Sequence, residues 1–154
     1  MKTRTIAITL AVGLVGTSLA FAANANMGTW KLNEAKSKVA AGMPKNHTVS
    51  YAAEGDQVKV TVDGTDKDGK PTHSEWTGKF DGKDYPVSGD SMADSRSYTE
   101  VNDHTLKMTG KKDGKITLTG TITVSPDGKS RKVKINATDA NGKKVTSSTV
   151  YDKQ

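Results

Sequence analysis

Asp-Gly-Lys occurs four times, at Asp68, Asp81, Asp113 and Asp127, and Asn-Gly-Lys once, at Asn141. Between these marks the chain mostly alternates apolar with polar residues. The steps 68→81, 113→127 and 127→141 are 13, 14 and 14 residues, which is one strand of roughly 8–10 residues plus one tight turn. Such a rhythm predicts an antiparallel meander joined by hairpins. Ser125-Pro126-Asp127-Gly128 places proline where φ near −65° is wanted and glycine where φ turns positive. Asp113-Gly114 and Asn141-Gly142 supply the same left-handed freedom.

Strands are expected near 28–32, 47–53, 57–63, 71–80, 84–88, 95–101, 104–110, 115–124, 130–138 and 143–151. Residues 33–45 read as a short helix or an irregular crossing loop ended by Pro44. Alternation then sorts the faces. Val58, Val60 and Val62 point one way, Lys59, Thr61 and Asp63 the other. Ile116, Leu118, Ile122 and Val124 share a face, as do Val133, Ile135 and Ala137. Every strand has one dry side, so the sheet must curl on itself or split into two layers. With hairpins throughout, the simplest solution is an all-β, up-and-down antiparallel barrel of 8–10 strands.

The first 25 residues read as a signal peptide, with Lys2 and Arg4 ahead of the apolar stretch Ile6–Phe21. Ala20-Phe21-Ala22 and Ala23-Asn24-Ala25 both fit the small-x-small rule, placing cleavage after Ala22 or Ala25. Residues 26–154 then form one domain, a monomer in periplasm or medium. With no cysteine in the chain, an exported domain of this size must rest on core burial alone. Without the leader, 21 basic residues face 17 acidic ones, for a net charge of +4. These charges read as spread along the strands. The longest basic run, Lys129-Ser130-Arg131-Lys132, reads as a solvated strand face, since nucleic-acid binding wants a concentrated patch with stacking aromatics. Seven aromatics after the leader are too few for the girdles of a membrane-spanning barrel.

Gly28-Thr29-Trp30-Lys31-Leu32 resembles the Gly-x-Trp opening of the lipocalin and fatty-acid-binding-protein superfamily, whose tryptophan closes one end of the barrel. Length and strand count resemble the fatty-acid-binding branch. Thr149-Val150-Tyr151 resembles that branch's last strand, where an arginine and a tyrosine two residues apart hold a lipid carboxylate. Tyr151 matches the tyrosine, whereas Thr149 stands at the arginine position. The segment between the first two strands is much shorter than that branch's helix pair, so the resemblance does not extend to a helical lid. GTWKLN, DGKDYPV and VYDKQ also resemble a group of secreted bacterial proteins.

No catalytic constellation is present: there is no nucleophile elbow, no phosphate-cradling glycine loop and no cysteine. His47 and His104 are expected to begin strands on the apolar face and His73 to face solvent. With Met43, Met92 and Met108 they share no ligand-like spacing, so no metal site and no cofactor is assigned. Asp63–Gly69 resembles part of a calcium loop but has glycine at position 64, where the first carboxylate belongs, and no bidentate glutamate after it, so it reads as two turns. The interior remains. Trp30, Tyr51, Trp76, Tyr98, Met108 and Tyr151 are expected to line a lumen for a small hydrophobic or amphipathic ligand, without catalysis. The alternative is a filled core whose Lys/Thr-rich outer face binds a polysaccharide or acidic polymer.

Overall fold

Ten strands follow one another around a closed wall in the computed structural model, which describes residues 24–139 and 141–154. They are β1 (Gly28–Leu32), β2 (Lys45–Glu54), β3 (Gln57–Thr65), β4 (Pro71–Gly78), β5 (Tyr85–Ser88), β6 (Ser95–Asn102), β7 (Thr105–Lys112), β8 (Lys115–Val124), β9 (Ser130–Thr138) and β10 (Lys144–Lys153). Each pairs antiparallel with its sequence neighbours, and β1 closes on β10 through Trp30↔Lys153 and Leu32↔Tyr151. The protein is a ten-strand, closed, up-and-down β-barrel with a single 3-10 turn, Glu34–Lys36, as its only helical element among the described residues. The expected signal peptide falls on residues 1–23, outside the described residues, apart from Asn24 and Ala25.

The turns follow from their side chains. At Asp113-Gly114 both residues adopt positive φ, 51° and 74°, as a two-residue hairpin demands if its twist is to match the strands. The loops 66–70 and 139–143 share one device. Asp66 Oδ1 accepts from the backbone N–H of Asp68 and Lys70 at 2.8 and 2.9 Å, and Asp139 Oδ1 from Asn141 and Lys143, both at 2.9 Å. Asp66, inside the segment that resembles part of a calcium loop, is thus occupied in closing a turn, while Asp63 bonds His73 and Asp68 pairs with Lys67.

Alternation puts Val58, Val60, Val62, Leu118, Ile122, Val124 and Val133 inside, as expected. Two register shifts overturn particular expectations. A bulge at Thr117 of β8, opposite Gly110–Lys111 of β7, turns Ile116 outward to 61% exposure. Another between Asn46 and Thr48 turns His47 out of the apolar face, where its Nε2 lies 3.2 Å from Thr65 Oγ1. An extra residue in one strand reverses which side its neighbours occupy.

One end of the barrel is sealed. Trp30 is fully buried, and its indole N–H donates to the carbonyl of Asn26 at 2.8 Å. Asn24 and Asn26 are buried beside it, and Ala25 N–H donates to Asp103 O at 2.8 Å. On the opposite wall, Trp76, Phe80, Tyr85 and Tyr98 form an aromatic cluster, with Trp76 and Tyr98 centroids 4.7 Å apart and edge-to-face. This cluster backs the thinnest part of the wall. β5 pairs through only two residues with β4 and two with β6. Gly78 admits the ring of Tyr85, since a Cβ there would stand 2.5 Å from it.

Candidate functional site

The far end of the barrel opens into a cavity of about 240 Å3. Its rim comes from the segment after the 3-10 turn (Val39, Met43, Pro44), from Asp66 and Thr72, and from the β5–β6 loop (Gly89, Asp90, Met92). The β1–β2 connection therefore borders the mouth as a single irregular strap, in place of a helical lid. Of the six residues expected to line the lumen, Tyr51, Tyr98, Met108 and Tyr151 form part of its wall. Trp30 and Trp76 do not. They pack as core plugs, 0% and 1% exposed, with their indole N–H groups committed to Asn26 O and Arg96 O, both at 2.8 Å.

The wall also carries two arginines, and these set the chemistry. Arg96, on β6, is buried two positions before Tyr98 and therefore shares its inward face. Its Nη2 pairs with Asp90 Oδ2, and its Nη1 donates to Tyr98 Oη at 3.3 Å. Asp90 also accepts from Met92 N–H at 2.8 Å, which ties the rim loop to the pair. Burial raises the Tyr98 phenol well above the usual range, so it stays neutral.

Arg131, on β9, is only 3% exposed and has no carboxylate partner among the described residues. Its guanidinium lies over the rings of Trp30, Tyr51 and Tyr151 at 4.9, 5.0 and 5.0 Å. Nε and Nη1 are sealed from solvent without a hydrogen bond. A guanidinium cannot shed its proton in a protein, so the charge persists. Each ring returns roughly 0.5–2 kcal/mol, against a desolvation cost of several kcal/mol per buried ion. The rings hold Arg131 in place but leave its donors unsatisfied.

This corrects the reading of Lys129–Lys132 as a uniformly solvated run. Arg131 is paired with Tyr151 across β9 and β10, beside the position where the resemblance expects an arginine on β10 itself. Thr149 occupies that β10 position, buried, with its hydroxyl 3.5 Å from Val133 O. The signal that locates both arginines is parity: 131 continues 133 and 137, and 96 continues 98, on the buried faces of their strands. Burial also raises the Tyr151 phenol, whose hydroxyl donates to Asn46 O at 3.1 Å.

No protein-family model matches the chain, and no curated protein matches it. Among solved structures, the chain is similar to EF1p2_mFAP2b bound to DFHBI, at 15% identity and TM-score 0.47, over 84% of this chain and 94% of that one. It is also similar to a redesigned beta barrel, mFAP1, bound to DFHBI, at 18% identity and TM-score 0.42, over 83% and 96%.

The histidines lie apart from the cavity. His73 is on the outer wall, with Nδ1 2.6 Å from Asp63 Oδ1 and Nε2 3.2 Å from Glu75 Oε1. Those hydrogen bonds, Asp63 first, raise its pKa from 6.5. A raised histidine pKa stabilises the fold fully below the unfolded value and loses that contribution as pH climbs through the folded value. The urea midpoint of the native protein minus that of His73→Gln is therefore expected to be largest below pH 6.5 and to shrink above it. A difference that stays flat from about pH 5 to about pH 9 would show that protonation of His73 adds nothing to stability.

Proposed function

We propose that this barrel is a non-catalytic carrier that holds a small amphipathic anion in its lumen, the acidic head on Arg131 and the apolar body against Met108, Leu118, Ile122 and Ile135. The observation that carries this reading is Arg131, a permanent cation sealed beside an open cavity without a counter-charge. Tyr51, whose hydroxyl makes no hydrogen bond among the described residues, is a second handle next to it. An apolar protein cavity of roughly 150 Å3 takes up benzene, so about 240 Å3 suits a one- or two-ring anion or a short acyl chain.

The test compares ligands of equal length and opposite head group. Octanoate is expected to bind saturably, 1-octanol roughly 10- to 100-fold more weakly because it gives up a charge-assisted hydrogen bond, and octylamine not at all. Equal binding of acid and amine, or no saturable binding by any of the three, would overturn the reading. Mass spectrometry of protein isolated from its own host then identifies the natural ligand.

Export belongs to the same proposal, with processing after Ala22. Cleavage after Ala25 would remove Asn24, whose Oδ1 accepts from Asn26 N–H at 2.9 Å, and would leave a charged amino terminus on a fully buried residue. Burying an unpaired ammonium is costly. The mature protein is therefore expected to begin at Ala23, read directly from its intact mass; a mass matching Asn26 as first residue would refute this.

A further inference from the structure

The outer wall of the barrel is electrically lopsided. β1–β6 carry four basic and four acidic side chains, whereas β7–β10 carry nine basic ones and a single carboxylate, Asp152. Arg96 among the four and Arg131 among the nine are buried in the lumen, which leaves three basic residues against eight on the outside. Because the four strands are consecutive neighbours in the wall, charges that read as spread along the chain fall on one side of the molecule.

The register gives this side an order. Lys107 on β7 pairs with Thr121 on β8, Thr121 with Lys134 on β9, Lys134 with Ser148 on β10, and Ser148 bridges to Lys38. The row thus reads Lys–Thr–Lys–Ser–Lys across the wall. Neighbouring strands lie about 4.8 Å apart, so its lysines recur every ~10 Å. Lys132 sits two residues from Lys134 on the same outward face, opposite Thr123. Among the described residues, no carboxylate lies within ion-pair distance of Lys38, Lys107, Lys132 or Lys134. Lys111 on β7 is paired with Asp84, at the edge of this face, and on the other half of the barrel Lys45, Lys59 and Lys79 are paired with Glu34, Glu75 and Asp56.

We propose that the outer face of β7–β10 is a docking surface for an extended acidic polysaccharide, with Lys107, Lys134 and Lys38 taking successive anionic groups and Thr121 and Ser148 hydrogen-bonding sugar hydroxyls between them. A row of fixed cations uncompensated by the protein's own carboxylates attracts a linear polyanion over a distance of about a Debye length. The alternation of ammonium with hydroxyl matches a polymer that alternates charge with hydroxyls. A nucleic acid fits less well, because the sole aromatic of these four strands, Tyr151, is buried and no ring is free to stack on a base. An anionic membrane fits less well too, since Ile116 is the one exposed large apolar side chain on these strands. This surface lies on the opposite side of the wall from the lumen and owes nothing to Arg131.

The experiment measures binding of polygalacturonate, with uncharged dextran, duplex DNA and phosphatidylserine-containing vesicles as comparators. Polygalacturonate is expected to bind in a salt-sensitive manner and dextran not at all. The Lys107→Gln/Lys134→Gln double variant is expected to lose about tenfold or more in affinity, as removal of two contacts with a polyanion should. Lys70→Gln/Lys83→Gln, which changes net charge equally on turns outside β7–β10, is expected to stay within about twofold of the native protein. Equal losses in the two double variants would reduce the effect to net charge and overturn the proposal. So would tighter binding of DNA or vesicles than of polygalacturonate, or no binding of polygalacturonate at low salt.

Discussion

Arg131→Met is expected to weaken octanoate binding roughly 10- to 100-fold, the worth of a charge-assisted hydrogen bond, while leaving the barrel at least as stable as the native protein. Both halves of this result have one cause. Arg131 holds a permanent charge out of water with Nε and Nη1 unbonded, and three rings at 4.9–5.0 Å offset the cost only in part. Methionine fills much of the same space, keeps contact with the aromatic faces and removes the desolvated charge. Replacing buried ionic groups by apolar ones of similar volume is commonly neutral or stabilising by about 1–4 kcal/mol. Octanoate titration together with urea unfolding reads both effects. A variant that binds octanoate unchanged and unfolds more readily would make Arg131 a strut clamped by its rings, and the carrier would lose its anion site.

Asp90→Ala is expected to cost about 3–5 kcal/mol of stability, because it strips Arg96 of its counter-charge and leaves a buried cation behind. The two side chains are only 12% and 9% exposed. The pair sits where the wall is thinnest, between β5, with its two-residue pairings, and β6. Asp90→Ala should also loosen the rim loop, since Asp90 holds Met92 N–H as well. Adding Arg96→Met to this variant is expected to recover most of the loss, because the orphaned charge leaves with its partner. Urea unfolding of the two single variants and the double variant measures the coupling. If the double variant is as unstable as the sum of the singles, the pair is not coupled and the seam is held by the aromatic cluster alone.

The strands were legible because their determinants are local. β8 runs over 115–124 and β9 over 130–138, as the alternation of Leu118, Ile122 and Val133 with threonine and lysine requires, and Asp113-Gly114 folds as its residue types dictate. The closed wall followed from the same pattern, since with hairpins throughout a barrel is the simplest way for ten half-dry strands to hide one face. Ile116 and His47 escaped the pattern because each adjoins a bulge, and a bulge is a property of two paired strands that one strand's sequence does not display. Trp30 and Trp76 were rightly expected inside, but whether an interior ring lines a void or fills it depends on what packs beside it. Here Asn26 and the backbone of Arg96 engage both indoles.

The candidate site was legible by half. Tyr51, Tyr98, Met108 and Tyr151 face the cavity, whereas Arg131 was hidden within a basic run whose other members face water. By itself, the order of residues determined where the chain turns and which side of each strand is dry, because both depend on neighbours a few positions away. Only the closed barrel decided that an arginine would be sealed among three rings, and that lysines from three distant segments would line up across the wall. Those outcomes depend on which strands become neighbours and in what register, and no stretch of chain carries that information alone.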